Sequence, residues 1–135
     1  MNGCQVQLLI DGDRQSFAPG ETLAGECRLD APRRDDIEAI ELSIMWYTEG
    51  TGDEDLAVHY FERRGPENGR TDLREPRRFS TELPNSPLSY DGVIVKLHWC
   101  VRVRVFLPRG KDMLVEAPFQ LGNVPPAKLP EEPSA

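Results

Sequence analysis

The sequence predicts an all-β protein, an antiparallel β-sandwich of about seven or eight strands in one domain. Three observations carry that expectation. Apolar and polar residues alternate with a period of two through most of the chain, the pattern of strands with one buried and one solvated face. These stretches are separated by Gly/Pro turns, the chain holding 11 glycines and 12 prolines. Its 135 residues fit a single domain large enough to bury a core without metal or disulfide.

The elements follow in order. Cys4 to Ile10 reads as a first strand, ended by the turn chemistry of Asp11-Gly12-Asp13. Pro19-Gly20 fits the two central positions of a type II turn, where glycine takes a positive φ without strain. After it, Leu23, Gly25, Cys27 and Leu29 form an inward face, and Gly25 leaves room for a close approach by another sheet. From Ile37 to Tyr47, the residues Ile40, Leu42, Ile44 and Trp46 share a face. A helix also fits Ile37, Ile40, Ile44 and Tyr47, but β-branched and aromatic residues favour a strand. Thr48 to Glu54 reads as a loop, and Asp55 to Arg64 alternates Leu56, Val58 and Tyr60 against Ala57, His59 and Phe61.

Gly65 to Pro76 has no apolar pattern apart from Leu73 and is expected to be a mobile insertion. Phe79 to Leu83 is a short strand, closed by the turn Pro84-Asn85-Ser86-Pro87, whose prolines cannot donate to a ladder. The clearest strand follows, with Val93, Val95, Leu97, Trp99, Val101, Val103, Val105 and Leu107 on every odd position and no sign of a bulge. Fully extended, Gly92 to Leu107 would reach about 53 Å, so it is expected to bend or to be shorter by a turn. Pro108 to Asp112 turns the chain into a last strand, Met113 to Leu121. The sandwich domain is thus residues 1–121, and the Pro-rich stretch 122–135 is expected to be a flexible tail.

Composition excludes several classes of function. Asp and Glu number 23 against 16 Lys and Arg, a net charge of −7, which disfavours non-specific binding to nucleic acid or anionic lipid. No apolar run approaches the roughly 20 residues of a membrane-spanning helix. The start of the chain has neither the basic residues nor the apolar stretch of a signal peptide, so the expected protein is soluble and cytoplasmic. Cys4, Cys27 and Cys100 stand far apart with no CxxC pair, and read as reduced, buried thiols. There is no Cys…Trp…Cys spacing of the antibody type.

Two stretches together resemble a known family. Phe17-Ala18-Pro19-Gly20-Glu21, followed by Gly25, is similar to the aromatic-x-Pro-Gly-Glu-x-x-x-Gly opening of arrestin-like domains. Leu83-Pro84, Pro87, Ser89-Tyr90 and Gly92, leading into the alternating run Lys96 to Val105, resemble the same domain's later signature. The order and spacing agree across Cys4 to Leu121. The resemblance is to a single lobe like the arrestin N-terminal domain, as in bacterial sporulation-control proteins and retromer-type adaptors. It implies an immunoglobulin-like, arrestin-like sandwich that acts as a binding scaffold or adaptor and not as an enzyme, with a protein partner and no cofactor. Relatives usually carry two lobes and this length holds one, so a second copy of the chain is a conceivable source of the other.

Three kinds of site are candidates. The first is the non-core face of the long strand, where Lys96, His98, Arg102 and Arg104 line up. Residues two apart on such a face are about 6.6 Å apart, so Arg102 and Arg104 suit adjacent carboxylates or phosphates. The arrestin resemblance likewise implies an acidic or phosphorylated ligand, whereas cross-strand pairing with Asp or Glu is the simpler outcome. The second is chemical: His59, His98 and Cys100 would suit zinc or a small hydrolase if the fold brought them together. No Gly-x-Ser-x-Gly elbow or phosphate loop accompanies them. The acidic turns Asp11/Asp13 and Asp53/Glu54/Asp55 lack EF-hand spacing and read as solvated. The third is an edge. Cys4 to Ile10 carries no charge or proline, so at a sheet edge it would invite strand pairing with a partner, a second copy, or the subunits of a larger assembly.

Overall fold

A computed structural model describes residues 3–50, 52, 54–66 and 72–125. The strands are β1 (Gln5–Ile10), β2 (Ser16–Phe17), β3 (Thr22–Asp30), β4 (Ala39–Gly50), β5 (Leu56–Arg64), β6 (Arg77–Glu82), β7 (Tyr90–Asp91), β8 (Val95–Leu107) and β9 (Lys111–Leu121). They form two layers. One sheet has the order β1-β3-β6, and the other β2-β9-β8-β4-β5 with the short β7 also paired to β8. The protein is therefore an all-β sandwich, as its alternation predicts.

The alternation decides which side chains meet between the layers. Leu23, Cys27 and Leu29 of β3 and Phe79 of β6 face Ile40, Leu42 and Ile44 of β4 and the odd-numbered residues Trp99 to Leu107 of β8. Ile44, Val101, Val103 and Val105 are fully buried. Each such side chain contributes about 1.5–3 kcal/mol of transfer free energy, so this double row is the main source of cohesion. β4 pairs with β8 continuously from Ala39↔Phe106 to Gly50↔Val95, which excludes the helical reading and carries the strand through Thr48 to Gly50, where a loop was expected.

β8 starts later than its pattern suggests. Val93 and Ile94 precede it and are 54% and 70% exposed, so odd positions face inward only once the second sheet lies opposite, from Trp99 onward. The Pro19-Gly20 turn is as expected: Gly20 has φ of 83°, and the Glu21 amide donates to the Ala18 carbonyl at 3.1 Å. Gly25 has a different reason from the one its position suggested. A Cβ there would strike the Leu9 carbonyl and lie 2.6 Å from Cζ of Phe79, so the close neighbours are β1 and β6 of its own sheet. Between β1 and β2 the chain crosses layers through Asp11–Asp13, with Gly12 at φ 72° and Asp13 at φ 52°. β2 then pairs with β9 in parallel, an exception to the antiparallel expectation.

The expected insertion at 65–76 is partly docked. Residues 67–71 fall outside the described residues, but Leu73 is 7% exposed and belongs to the core. Arg74 clamps this return: its guanidinium donates to both Asp72 carboxylate oxygens, at 2.9 and 3.0 Å, and to the Ala31 carbonyl at 3.3 Å. The Arg74 hydrogen bonds, from side chain and backbone, pull the Asp72 carboxyl down to about 2. A depressed carboxyl stabilises the fold above its unfolded pKa, and the contribution is lost as pH falls toward 2. Asp72→Asn is therefore expected to lower the melting temperature at pH 7, with the gap to wild type closing near pH 2 in a pH series of thermal melts. Of the expected tail, the Gly122 amide donates to the Phe17 carbonyl at 2.8 Å, and residues 126–135 lie outside the described residues.

Candidate functional site

The face of the larger sheet that points away from the core is ordered by cross-strand register. From β5 to β9 its rows read Arg63–Glu41–Arg104–Leu114, Phe61–Ser43–Arg102–Glu116 and Val58–Met45–Cys100–Pro118. A fourth row, Leu56–Tyr47–His98, continues toward the Glu49–Lys96 pair. All four basic residues singled out from the sequence lie on this face, and each has a carboxylate partner. Lys96 Nζ is 3.5 Å from Asp91, His98 Nε2 donates to Glu49 at 2.9 Å, Arg102 meets Glu116 at 2.9 Å, and Arg104 Nε is 3.4 Å from Asp112. The simpler outcome, cross-strand pairing, is thus what the register produces. An acidic or phosphorylated ligand here would have to replace those carboxylates.

The face is not uniformly polar. Met45 and Cys100, side by side in its central row, are 3% and 2% exposed although they stand outside the inter-sheet core. Next to them on β5, Leu56, Val58 and Phe61 are 64%, 49% and 53% exposed. The alternation of β5 hides this cluster because the register shifts between Ile44 and Met45. Tyr60 pairs with Ile44 and Val58 with Met45, leaving His59 as the extra residue of a bulge. The bulge puts Phe61 on the same face as Val58, which a strict period of two forbids.

His59, His98 and Cys100 do not assemble. His98 and Cys100 share the outer face, with His98 against the Tyr47 ring at 5.1 Å. His59 lies at the other side of the sheet, its Nε2 donating to the Glu82 carbonyl at 2.8 Å and its ring edge-on to Trp99 of the core at 6.2 Å. Among the described residues no group of three or more His, Cys, Asp or Glu is placed to hold a metal ion. The three cysteines form no disulfide and are buried, and burial pushes the Cys27 and Cys100 thiols up to about 11, away from nucleophilic thiolate.

The edges differ. β5 and β6 close one side of the sandwich, through the His59–Glu82 hydrogen bond and the 3.6 Å Arg77–Glu62 pair. On the other side β1 is, among the described residues, an edge strand hydrogen-bonded to β3 alone, from Gln5↔Asp30 to Ile10↔Gly25. Its inward residues Val6, Leu8 and Ile10 are only half-buried, as are Met113 and Ala117 on the neighbouring part of β9. The seam between the two sheets therefore stays partly open along β1.

Two sheets packed face to face, a Pro-Gly-opened β3 and a long central β8 define a two-layer, all-β sandwich. No family model matches the sequence, and no curated protein matches it. Among solved structures it is similar to Spo0M, the sporulation control protein of Bacillus subtilis, with a TM-score of 0.61 and 14% identity. That match covers 92% of this chain and 51% of Spo0M, so the chain spans about half the length of that protein. A superoxide reductase (neelaredoxin) from Ignicoccus hospitalis also matches, at TM-score 0.49 and 10% identity, over 87% of this chain and 79% of that one. Among the described residues no helix is long and apolar enough to cross a membrane.

Proposed function

We propose that this protein is a non-catalytic interaction module that recruits an extended segment of a protein partner by adding it as a strand to β1. The observation that carries this reading is the state of β1 itself: an edge strand six residues long, without charge or proline, with its apolar side half-buried over an open seam. An added strand would satisfy the outward backbone groups of β1, and its alternate side chains would close the seam toward Met113 and Ala117. Natural edges are usually blocked by charge, proline or a bulge. Here β5 has its bulge and β9 has Pro118, whereas β1 has none of these. Arrestin-like proteins work by binding, and the fold likeness to a protein described as a sporulation control protein agrees with a regulatory scaffold. A ligand at Lys96, His98, Arg102 and Arg104 would compete with four carboxylates already in place, so the edge of β1 is the stronger reading.

The test is selection of peptides from a displayed random library on the immobilised protein, followed by affinity measurement against Leu9→Lys. Leu9 is 44% exposed on the outer side of β1, so lysine there adds an edge charge without touching the core. Selected peptides should bind this variant at least about tenfold more weakly, a difference of about 1.4 kcal/mol. Peptides that bind both proteins equally, but lose Arg102→Glu/Arg104→Glu, would move the recognition site to the basic face.

A further inference from the structure

One end of the larger sheet carries a feature that strand addition at β1, in the other sheet, leaves unused. β7 and β8 form a hairpin: Tyr90 pairs with Leu97, Asp91 with Lys96, and the Gly92 amide donates to the Val95 carbonyl at 3.0 Å. Val93 and Ile94 are therefore the two residues of the loop. Tight hairpin loops call for Asn, Asp or Gly, which reach the φ angles of the turn or bond to their own backbone. Two β-branched apolar residues stand there instead, and they are not buried: Val93 is 54%, Ile94 70% and the following Val95 40% exposed. Three consecutive exposed apolar residues oppose both turn chemistry and solvation. A local choice that works against the fold is expected where residues are kept for function. The tip is also held in place. A Cβ on Gly50 would strike the Ile94 carbonyl and one on Gly92 the Val95 carbonyl, so the end of β4 packs directly against the hairpin.

Charge selects the occupant. From Gly92 to Val95 the tip itself carries no charge. Behind it, the cross-strand row Glu49–Lys96–Asp91 sets a carboxylate on each side of one lysine, with the Glu49 and Asp91 side chains 67% and 60% exposed. The Thr48 amide donates to the Asp55 carbonyl at 2.8 Å, which brings Glu54 and Asp55 to the same end of the sheet. An apolar tip backed by these carboxylates repels anionic lipid and acidic protein alike. Among the described residues the tip has no free strand edge, since β8 lies between β4 and β7 here. Recognition at this place therefore runs through side chains. We propose that the β7–β8 tip is a second contact site, docking a protein partner that presents an apolar stripe flanked by Lys or Arg. Val93, Ile94 and Val95 cover the stripe, and the basic side chains lay their stems along it to reach Glu49 and Asp91 at the rim. Those carboxylates stay in solvent, so the contact buries no charge, the step that would be costly.

Fluorescence anisotropy of a labelled amphipathic Leu/Lys helical peptide, titrated with the full chain, tests this. A Leu/Glu peptide of the same pattern and phosphatidylcholine/phosphatidylserine vesicles run beside it. The expected result is binding of the Leu/Lys peptide alone, weakened at least about tenfold by Ile94→Asp. That variant adds a carboxylate, so a merely electrostatic attraction to a chain of net charge −7 would be kept or strengthened. Val93→Asn/Ile94→Gly is expected to lose the peptide too, with an unfolding midpoint at or above that of the wild type, because it supplies favoured turn residues. Leu9→Lys should keep the peptide, which separates this contact from the β1 edge. No binding of the Leu/Lys peptide up to about 1 mM overturns the proposal. Equal binding by wild type and Ile94→Asp overturns it, as does equal binding of the Leu/Glu peptide. Vesicle binding that Ile94→Asp abolishes would give the tip to a lipid surface instead.

Discussion

Trp99→Ala is expected to remove about 3–5 kcal/mol of stability, a large share of the 5–15 kcal/mol that holds a domain together. Trp99 is 1% exposed at the point where β8 first runs beneath the second sheet. Its ring lies 5.8 Å from Phe119 and takes the edge of His59. Its Nε1 donates to the Pro87 carbonyl at 2.7 Å, which fixes the turn between β6 and β8. Alanine would leave a cavity and strand that carbonyl, so transfer, cavity and hydrogen-bond losses act together. Urea unfolding followed by far-ultraviolet circular dichroism measures the effect. Trp99→Phe should fall between the two, because it refills most of the volume but leaves the Pro87 carbonyl unpaired.

A second expected result contrasts two adjacent residues of β8. Val103→Asp places a carboxylate at a site with no exposure, between Leu42 and Val115 in the central ladder. An unpaired buried charge costs several kcal/mol, so this variant should be unfolded or aggregated at 25 °C. Arg102→Ala, one residue away, removes a partly exposed pair with Glu116 and should cost less than about 1 kcal/mol. Soluble yield and circular dichroism of the two variants read the alternation of the strand directly. Equal effects would mean that its faces are not those described.

The same contrast shows what the sequence makes legible. Leu23, Cys27 and Leu29, and Trp99 through Leu107, face the core because a strand with one buried side leaves only that solution for a period of two. The Pro19-Gly20 turn is legible because few other residue pairs suit its φ angles. What escapes depends on register and on neighbours far along the chain. Phe61 joins Val58 only through the bulge at His59, and a bulge leaves no mark on composition. Leu73 reads as a lone apolar residue in a polar stretch, yet the Arg74 contacts with Asp72 and Ala31 carry it into the core. The carboxylate partners of Arg102 and Arg104 are set by how β8 lies against β9, with Glu116 and Asp112 brought across by a turn at Pro108–Gly110. The edge position of β1, which the functional reading needs, follows from sheet order, and no local pattern encodes that.

Strand addition at β1 predicts a specific pattern of backbone protection, and amide hydrogen exchange read residue by residue by NMR is the most direct test. In the free protein, β1 amides that point away from β3 should exchange fast, and those bonded to β3 slowly. With a library-selected peptide bound, the outward amides of Gln5 to Ile10 should become protected at alternate positions, together with alternate amides of the peptide itself. Protection confined to β5 or to the Arg102–Arg104 face, with β1 unchanged, would contradict the account.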